Sequence, residues 1–257
     1  MNYEGDCKLK SGWSEGVLSL LYVAGERPSV EDVERLLAGP ANEAGLAARV
    51  SFTPDRDEGW LELLASGLTF DISGLSPAQV VPATPGSHLF GLPPETRDRA
   101  LEAVTLSPGE HIASGATMLP VIRVLCRLGA GMTSLGNVKA VCWHPAQSWI
   151  EPAYFTRAIS NWLAGGVFPA LGLTALQQLA DGSVESMGLS FFAGQEVRID
   201  RRTGEGNGDT ARLAIRVIDL MVRQGAFHED TSLAGPDGEV LLIERLRDGM
   251  VVVHRSE

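Results

Sequence analysis

The stretch Val138-Lys139-Ala140-Val141-Cys142-Trp143-His144-Pro145-Ala146-Gln147-Ser148-Trp149 decides the architecture, because it can close one unit of the chain or open the next. Residues 138–143 are an unbroken β-rich apolar run, the pattern of a strand buried on both faces. Downstream, Phe155, Ala158, Ile159, Trp162 and Leu163 fall on one helical stripe that stops at Gly165 and Gly166. The same order stands near the start of the chain. Residues 17–23 form a continuous apolar run, Ser29 suits an N-cap, Val30, Val33, Leu36 and Leu37 recur at helical spacing, and Gly39 ends the helix. Both helices finish on Leu-Ala-Gly, at residues 37–39 and 163–165.

Outward from there, each helix is followed by two strand candidates, residues 49–53 and 60–72 in the first half and 167–179 and 184–199 in the second. Asp181-Gly182 between apolar runs marks a tight turn, and residues 54–59 make a longer acidic loop. In the second half Leu213, Val217, Leu220 and Met221 give an apolar helix face, with Asp209 able to cap its start and Gly225 after its end. Residues 239–247 and 250–254 flank Asp248-Gly249, a two-residue hairpin turn. In the first half the simplest matching helix is residues 94–104, with a short strand at 111–114 and a connecting helix through Met118, Val121, Ile122, Leu125 and Leu128. The alternative makes residues 118–128 the matching helix, and 138–143 would then have to end one unit and begin the next.

Each half reads β-α-β-β-α-β, so the expected class is α+β, two tandem ferredoxin-like lobes forming a pseudo-dimer. Residues 1–16 are an N-terminal arm and 17–114 the first lobe, with a proline-rich excursion at 73–94. Residues 115–137 are a connecting helix and loop, and 138–257 the second lobe. Two helices cover one face of such a sheet, leaving the other to the second lobe, a partner chain or polar alternation.

Composition narrows the function classes. The 257 residues carry a net charge of −11, which excludes a broad cationic footprint for nucleic acid or anionic lipid. Three cysteines are an odd number, and Cys126 and Cys142 sit in apolar stretches, so reduced buried thiols in a cytoplasmic protein are expected. The apolar run at 17–24 is expected to be a buried strand rather than the core of a signal peptide, since Glu4, Asp6 and Glu15 precede it and Glu26 and Arg27 follow. No apolar segment has the length to cross a bilayer.

Chemistry is bounded first by exclusions. There is no phosphate-binding loop with its lysine, no zinc-finger cysteine spacing and no nucleophile elbow, and neither a cofactor nor a metal is expected. The glycine cluster in residues 201–209 offers backbone amides to an anion, but Glu205 and Asp209 repel one, so an ordinary loop tip is the stronger reading. Lys139 is the single lysine beyond the first ten residues. Two segments concentrate distinctive side chains. His144 lies among Trp143, Trp149 and Cys142, a grouping suited to binding a ring or to acid–base work, against which stands the commoner role of anchoring a loop over a core. Cys142 and His144 share a strand face, but no third metal ligand is visible at suitable spacing. In Ser186-Met187-Gly188-Leu189-Ser190-Phe191-Phe192-Ala193-Gly194-Gln195-Glu196-Val197, glycines interrupt a strand, which signals a bulge or a close backbone approach, and Glu196 is the carboxylate that follows. A solvated strand-end acid is the bland alternative for it.

The segment 186–197, the run from Val138 through Trp143 to Pro152 and Phe155, and Glu110-His111-Ile112 before an apolar helix resemble the bacterial family called domain of unknown function 4261. The resemblance spans residues 17–253. In that family the glycine-bearing strand starts with threonine and carries a phenylalanine-glycine pair before the glutamate, where this chain has Ser186 and Phe192-Ala193. The family has no established activity, so the resemblance implies a fold plan and a cytosolic setting rather than a reaction.

The leading expectation is a non-catalytic ligand- or protein-binding module whose cleft uses Trp143, His144, Ser186, Gly188, Phe192 and Glu196. The runner-up is a small-molecule hydrolase or related enzyme, with His144 as general base and Glu196 as its orienter or partner acid. A third reading is self-association into a homodimer through an open sheet face or edge. An unidentified small molecule or protein is the expected partner. The distance between His144 and Glu196, and whether His144 faces a cavity, discriminate among them.

Overall fold

The computed structural model describes residues 16–40, 46–202, 206–235 and 238–255; most of the N-terminal arm, including Cys7, and the centre of the glycine cluster at 203–205 lie outside the described residues. Local signals are met first. Ser29 caps α1 (Val30–Ala38) through a reciprocal box with Asp32, whose carboxyl the Ser29 backbone bond holds below the usual carboxylate range. The 17–23 run becomes β1 (Leu18–Val23), with both faces buried as its unbroken apolar pattern requires. Next come β2 (Ala48–Phe52), β3 (Trp60–Ala65), β4 (Leu68–Ser73), β5 (His88–Phe90) and β6 (Leu101–Pro108). The 60–72 candidate is thus a hairpin, turned at Ser66-Gly67 where both residues take positive φ.

The region matched to the second helix differs from the first expectation. Residues 94–98 make one 3-10 turn, and residues 101–108 are a strand, β6, that pairs with β1 on one side and β4 on the other. Pairing with two strands outweighs the weak helical preference of Leu101-Glu102-Ala103-Val104. Residues 110–115 are a second 3-10 turn rather than a strand. The alternative helix is the real one, α2 (Leu119–Met132), and it leads into β7 (Ala140–Trp143). β6 and β7 both run antiparallel to β1 and flank it, so β6-α2-β7 is a split β-α-β unit closed around β1. The deciding stretch therefore completes the first sheet, with Leu18 opposite Trp143, and continues it through β8 (Ser148–Ile150). The order is β2-β3-β4-β6-β1-β7-β8-β5.

The chain then crosses through α3 (Pro152–Leu163) and the kinked turn α4 (Ala170–Leu173). The second sheet holds β9 (Ala175–Gln178), β10 (Val184–Met187) and β11 (Glu196–Ile199), with α5 (Ser190–Ala193) between the last two. After α6 (Asn207–Gln224) come β12 (Thr231–Ala234), β13 (Val240–Arg245) and β14 (Met250–Arg255). Its order, β12-β13-β14-β11-β10-β9, is two antiparallel meanders joined through parallel β11 and β14. The class is α+β, but this order differs from that of the first sheet, so the topology does not confirm two tandem ferredoxin-like lobes.

One continuous core runs from α1 and α2 under the first sheet to α6 under the second. A separate cluster on the other face of the first sheet, Leu21, Leu101, Ala103, Ala140, Cys142 and Trp149, is covered by Ala83, Leu89 and Leu92 of the proline-rich excursion. That excursion is pinned by Ala103 N–H donating to Val81 O (2.8 Å) and by the Trp149 indole donating to Thr84 O (3.0 Å). Arg27, buried, adds bonds to Glu102, Gly74 O and Ala78 O. Cys126 and Cys142 are buried free thiols; burial pushes the Cys142 thiol up to about 12. Among the described residues no helix is long and apolar enough to cross a membrane.

Candidate functional site

The two distinctive segments meet, but their side chains serve different ends. Trp143 is wholly buried at the end of β7, stacked on Phe192 at 5.8 Å and edge-on to Phe191 at 5.5 Å. Phe168 and Trp162 extend the cluster, with Phe168 at 4.9 Å from Phe192 and 5.4 Å from Trp162. These rings join the first sheet to the second. Gly188 presses against the turn after β7: at its φ of +86° a Cβ would lie 2.8 Å from Pro145 O and 2.9 Å from Ala146 Cα. The interrupted strand thus marks a close backbone approach, as glycine there implies.

Glu196 finishes this joint. Its carboxylate accepts from the Ser186 hydroxyl at 2.5 Å and from the backbone N–H groups of Gly188 (2.9 Å), Leu189 (3.2 Å) and Ser190 (3.0 Å). Ser186 Oγ in turn accepts from Val197 N–H at 2.8 Å. Three amides of the turn into α5 would otherwise lack acceptors, so the carboxylate closes the bend from β10 to β11.

His144 belongs to another place. It opens a single 3-10 turn, and Gln147 in the left-handed region turns the chain into β8, which precedes α3. Its Nε2 lies 2.8 Å from Ser19 Oγ, and Ser19 Oγ lies 2.8 Å from Thr105 Oγ1. The three line a concavity of about 580 Å³ between the outer face of the first sheet and the proline-rich excursion, together with Ser73, Thr84 and Ser107. Among the described lining residues His144 is the only titratable side chain, and neither Trp143, Ser186, Gly188, Phe192 nor Glu196 takes part. The structure therefore brings the two segments together through Trp143, Phe192 and Gly188, while His144 and Glu196 face separate sets of partners.

The hydroxyls around His144 escaped the sequence reading. Ser19, the lone polar residue in the run at 17–23, was the available signal; Thr105 and Ser107 had none, because their strand read as helix and loop. Among the described residues no group of three His, Cys, Asp or Glu side chains converges as a metal site. No protein-family model, no curated protein and no solved structure matches the chain, so its own residues carry the functional argument.

Proposed function

We propose that the chain is a non-catalytic binding module whose ligand sits in the His144 concavity. One observation carries this reading: five hydroxyl side chains and an imidazole line a space of about 580 Å³ in which no carboxylate, lysine or arginine is present among the described lining residues. That volume suits a small organic molecule, and the lining suits an uncharged one rich in hydroxyl or amide groups. Trp143, Ser186, Gly188, Phe192 and Glu196 hold the wall behind it, bracing the turn from which His144 projects. Thermal-shift screening against neutral polyols, sugars and amides tests the proposal, with Ser19→Ala and His144→Gln as controls. A hit lost in both variants supports it; hits indifferent to both place the ligand elsewhere.

The enzymatic reading rests on one distance, 2.8 Å between Ser19 Oγ and His144 Nε2, the geometry of a serine activated by a base. Glu196 does not serve it, because its oxygens are engaged by Ser186 and three amides. Labelling of Ser19 by a fluorophosphonate probe, abolished by His144→Gln, is the result that would favour hydrolysis over binding. The buried thiols support a cytoplasmic setting, and the net charge of −11 speaks against nucleic acid as partner. Kinship with domain of unknown function 4261 is part of the same proposal. The 2.5 Å bond between Ser186 and Glu196, two positions of that motif, supports reading the motif as a structural brace. For the architecture, the order β7-β1-β6-β4 within the first sheet supports a ferredoxin-like centre extended by the β2-β3 hairpin.

A further inference from the structure

Lys139 has a place that the His144 concavity does not explain. It has the parity of Val141 and Trp143, which point to the helix side of the first sheet, whereas His144 bonds Ser19 on the opposite face. Its backbone N–H donates to Leu21 O at 2.8 Å, which fixes the start of the strand. On the helix side it lines a second concavity, of about 680 Å³, with Thr133 at the end of α2 and Glu151, Thr156 and Arg157 from the start of α3.

We infer that this concavity is a binding site for a small molecule bearing a phosphoryl group, held by Lys139 and Arg157. Among the described residues neither cation has a carboxylate within ion-pair distance, whereas Arg27, Arg56, Arg198 and Arg212 each have one. In a chain of net charge −11, two cations sharing one hollow without a counter-ion leave a local positive field for an anion. The one acid in the lining, Glu151, offsets one of the two positive charges and leaves the other. Glu151 spends its oxygens on Ala153 N–H (2.9 Å) and Tyr154 N–H (2.5 Å), where it offsets the positive end of α3. Arg157 is held over the Tyr154 ring at 5.6 Å, which pre-orders its guanidinium. Thr133 Oγ1 donates to Ala130 O at 2.7 Å, so the 3.0 Å bond between the two hydroxyls is donated by Thr156, which also lies 3.4 Å from Ala130 O; the threonine pair ties the end of α2 to the start of α3 and fixes the floor of the hollow. A planar fork and an ammonium are a donor pair that a tetrahedral oxyanion takes.

The site is independent of the His144 concavity, and its test is separate. Inorganic phosphate is titrated into the full chain by calorimetry at constant ionic strength, with folding of each variant checked by circular dichroism. Saturable binding is expected, weakened about tenfold in Lys139→Gln and in Arg157→Gln, the size of one charge-assisted hydrogen bond, and unchanged in the distant Arg35→Gln. Phenyl phosphate should compete for the same site. Absence of saturation overturns the inference, and so does equal weakening in all three variants, which would report general charge rather than a site.

Discussion

The two sheets differ in what covers their outer faces. In the first, β1, β7 and β8 are buried on both sides, by α2, α3 and α4 beneath and by the proline-rich excursion above. In the second, β13 alternates strictly: Leu241 and Ile243 face α6 while Val240 and Leu242 stand exposed, and the ionic set Arg198, Asp200, Glu244 and His254 shares that outer surface. A sheet covered on both faces can enclose a ligand space with a dry floor. One covered on a single face spends its outer residues on solvent. The contrast explains why the concavity with His144 is in the first sheet, and why its strands read as unbroken apolar runs.

The contrast can be broken by substitution, and the largest effect belongs to the covered face. Trp149→Ala should cost about 4 kcal/mol, because the indole packs between β8 and the excursion. Urea unfolding measures it, and a loss below about 1 kcal/mol would mean that the excursion is not a real cover. Gly188→Ala, at the joint between the sheets, should cost about 3 kcal/mol from left-handed strain and the collision with Pro145 and Ala146. Glu196→Gln should cost about 2 kcal/mol, since an amide nitrogen would face backbone donors. It should leave ligand binding beside His144 intact, which separates brace from site in a single variant.

Smaller effects probe the exposed face. His254 bonds Glu244 at 2.9 Å and Asp200 at 2.8 Å, and these carboxylates, Glu244 first, raise its pKa above the ordinary 6.5. A raised histidine stabilises the fold fully below its unfolded pKa and loses that contribution as pH climbs through the folded value. Stability should therefore fall by less than about 1 kcal/mol from pH 6 upward through that window, the imidazole being 40% exposed. His254→Gln should flatten this limb of the pH–stability curve. Leu242→Gln, at a position 50% exposed, should change unfolding free energy by under about 0.5 kcal/mol. A larger loss would show that this face is covered in solution, as self-association would require.

Several elements were legible because their energetics are local. The Ser29 cap, the Gly39 and Gly225 stops and the Asp181-Gly182 and Asp248-Gly249 turns involve partners within a few residues, and each stands where the residues place it, except that Leu246 pairs with Met250 and so the last turn takes three residues, 247–249, rather than two. The joint was half legible. Gly188 announced a close approach and Glu196 a carboxylate with work to do, but nothing local could name Pro145 and Ala146, or three amides, as what they meet.

What the chain determined by itself was the type and limits of elements whose stabilising contacts are near in sequence, the two-sided burial of β1 and β7, and the charge balance. Only the tertiary structure decided that residues 101–108 pair as a strand and that 138–143 close the first sheet. It alone set His144 beside Ser19 and Thr105, 125 and 39 residues away along the chain. The reason is that a strand draws its hydrogen bonds from partners any distance away in sequence. Which partner wins depends on burying both faces of the whole sheet at once.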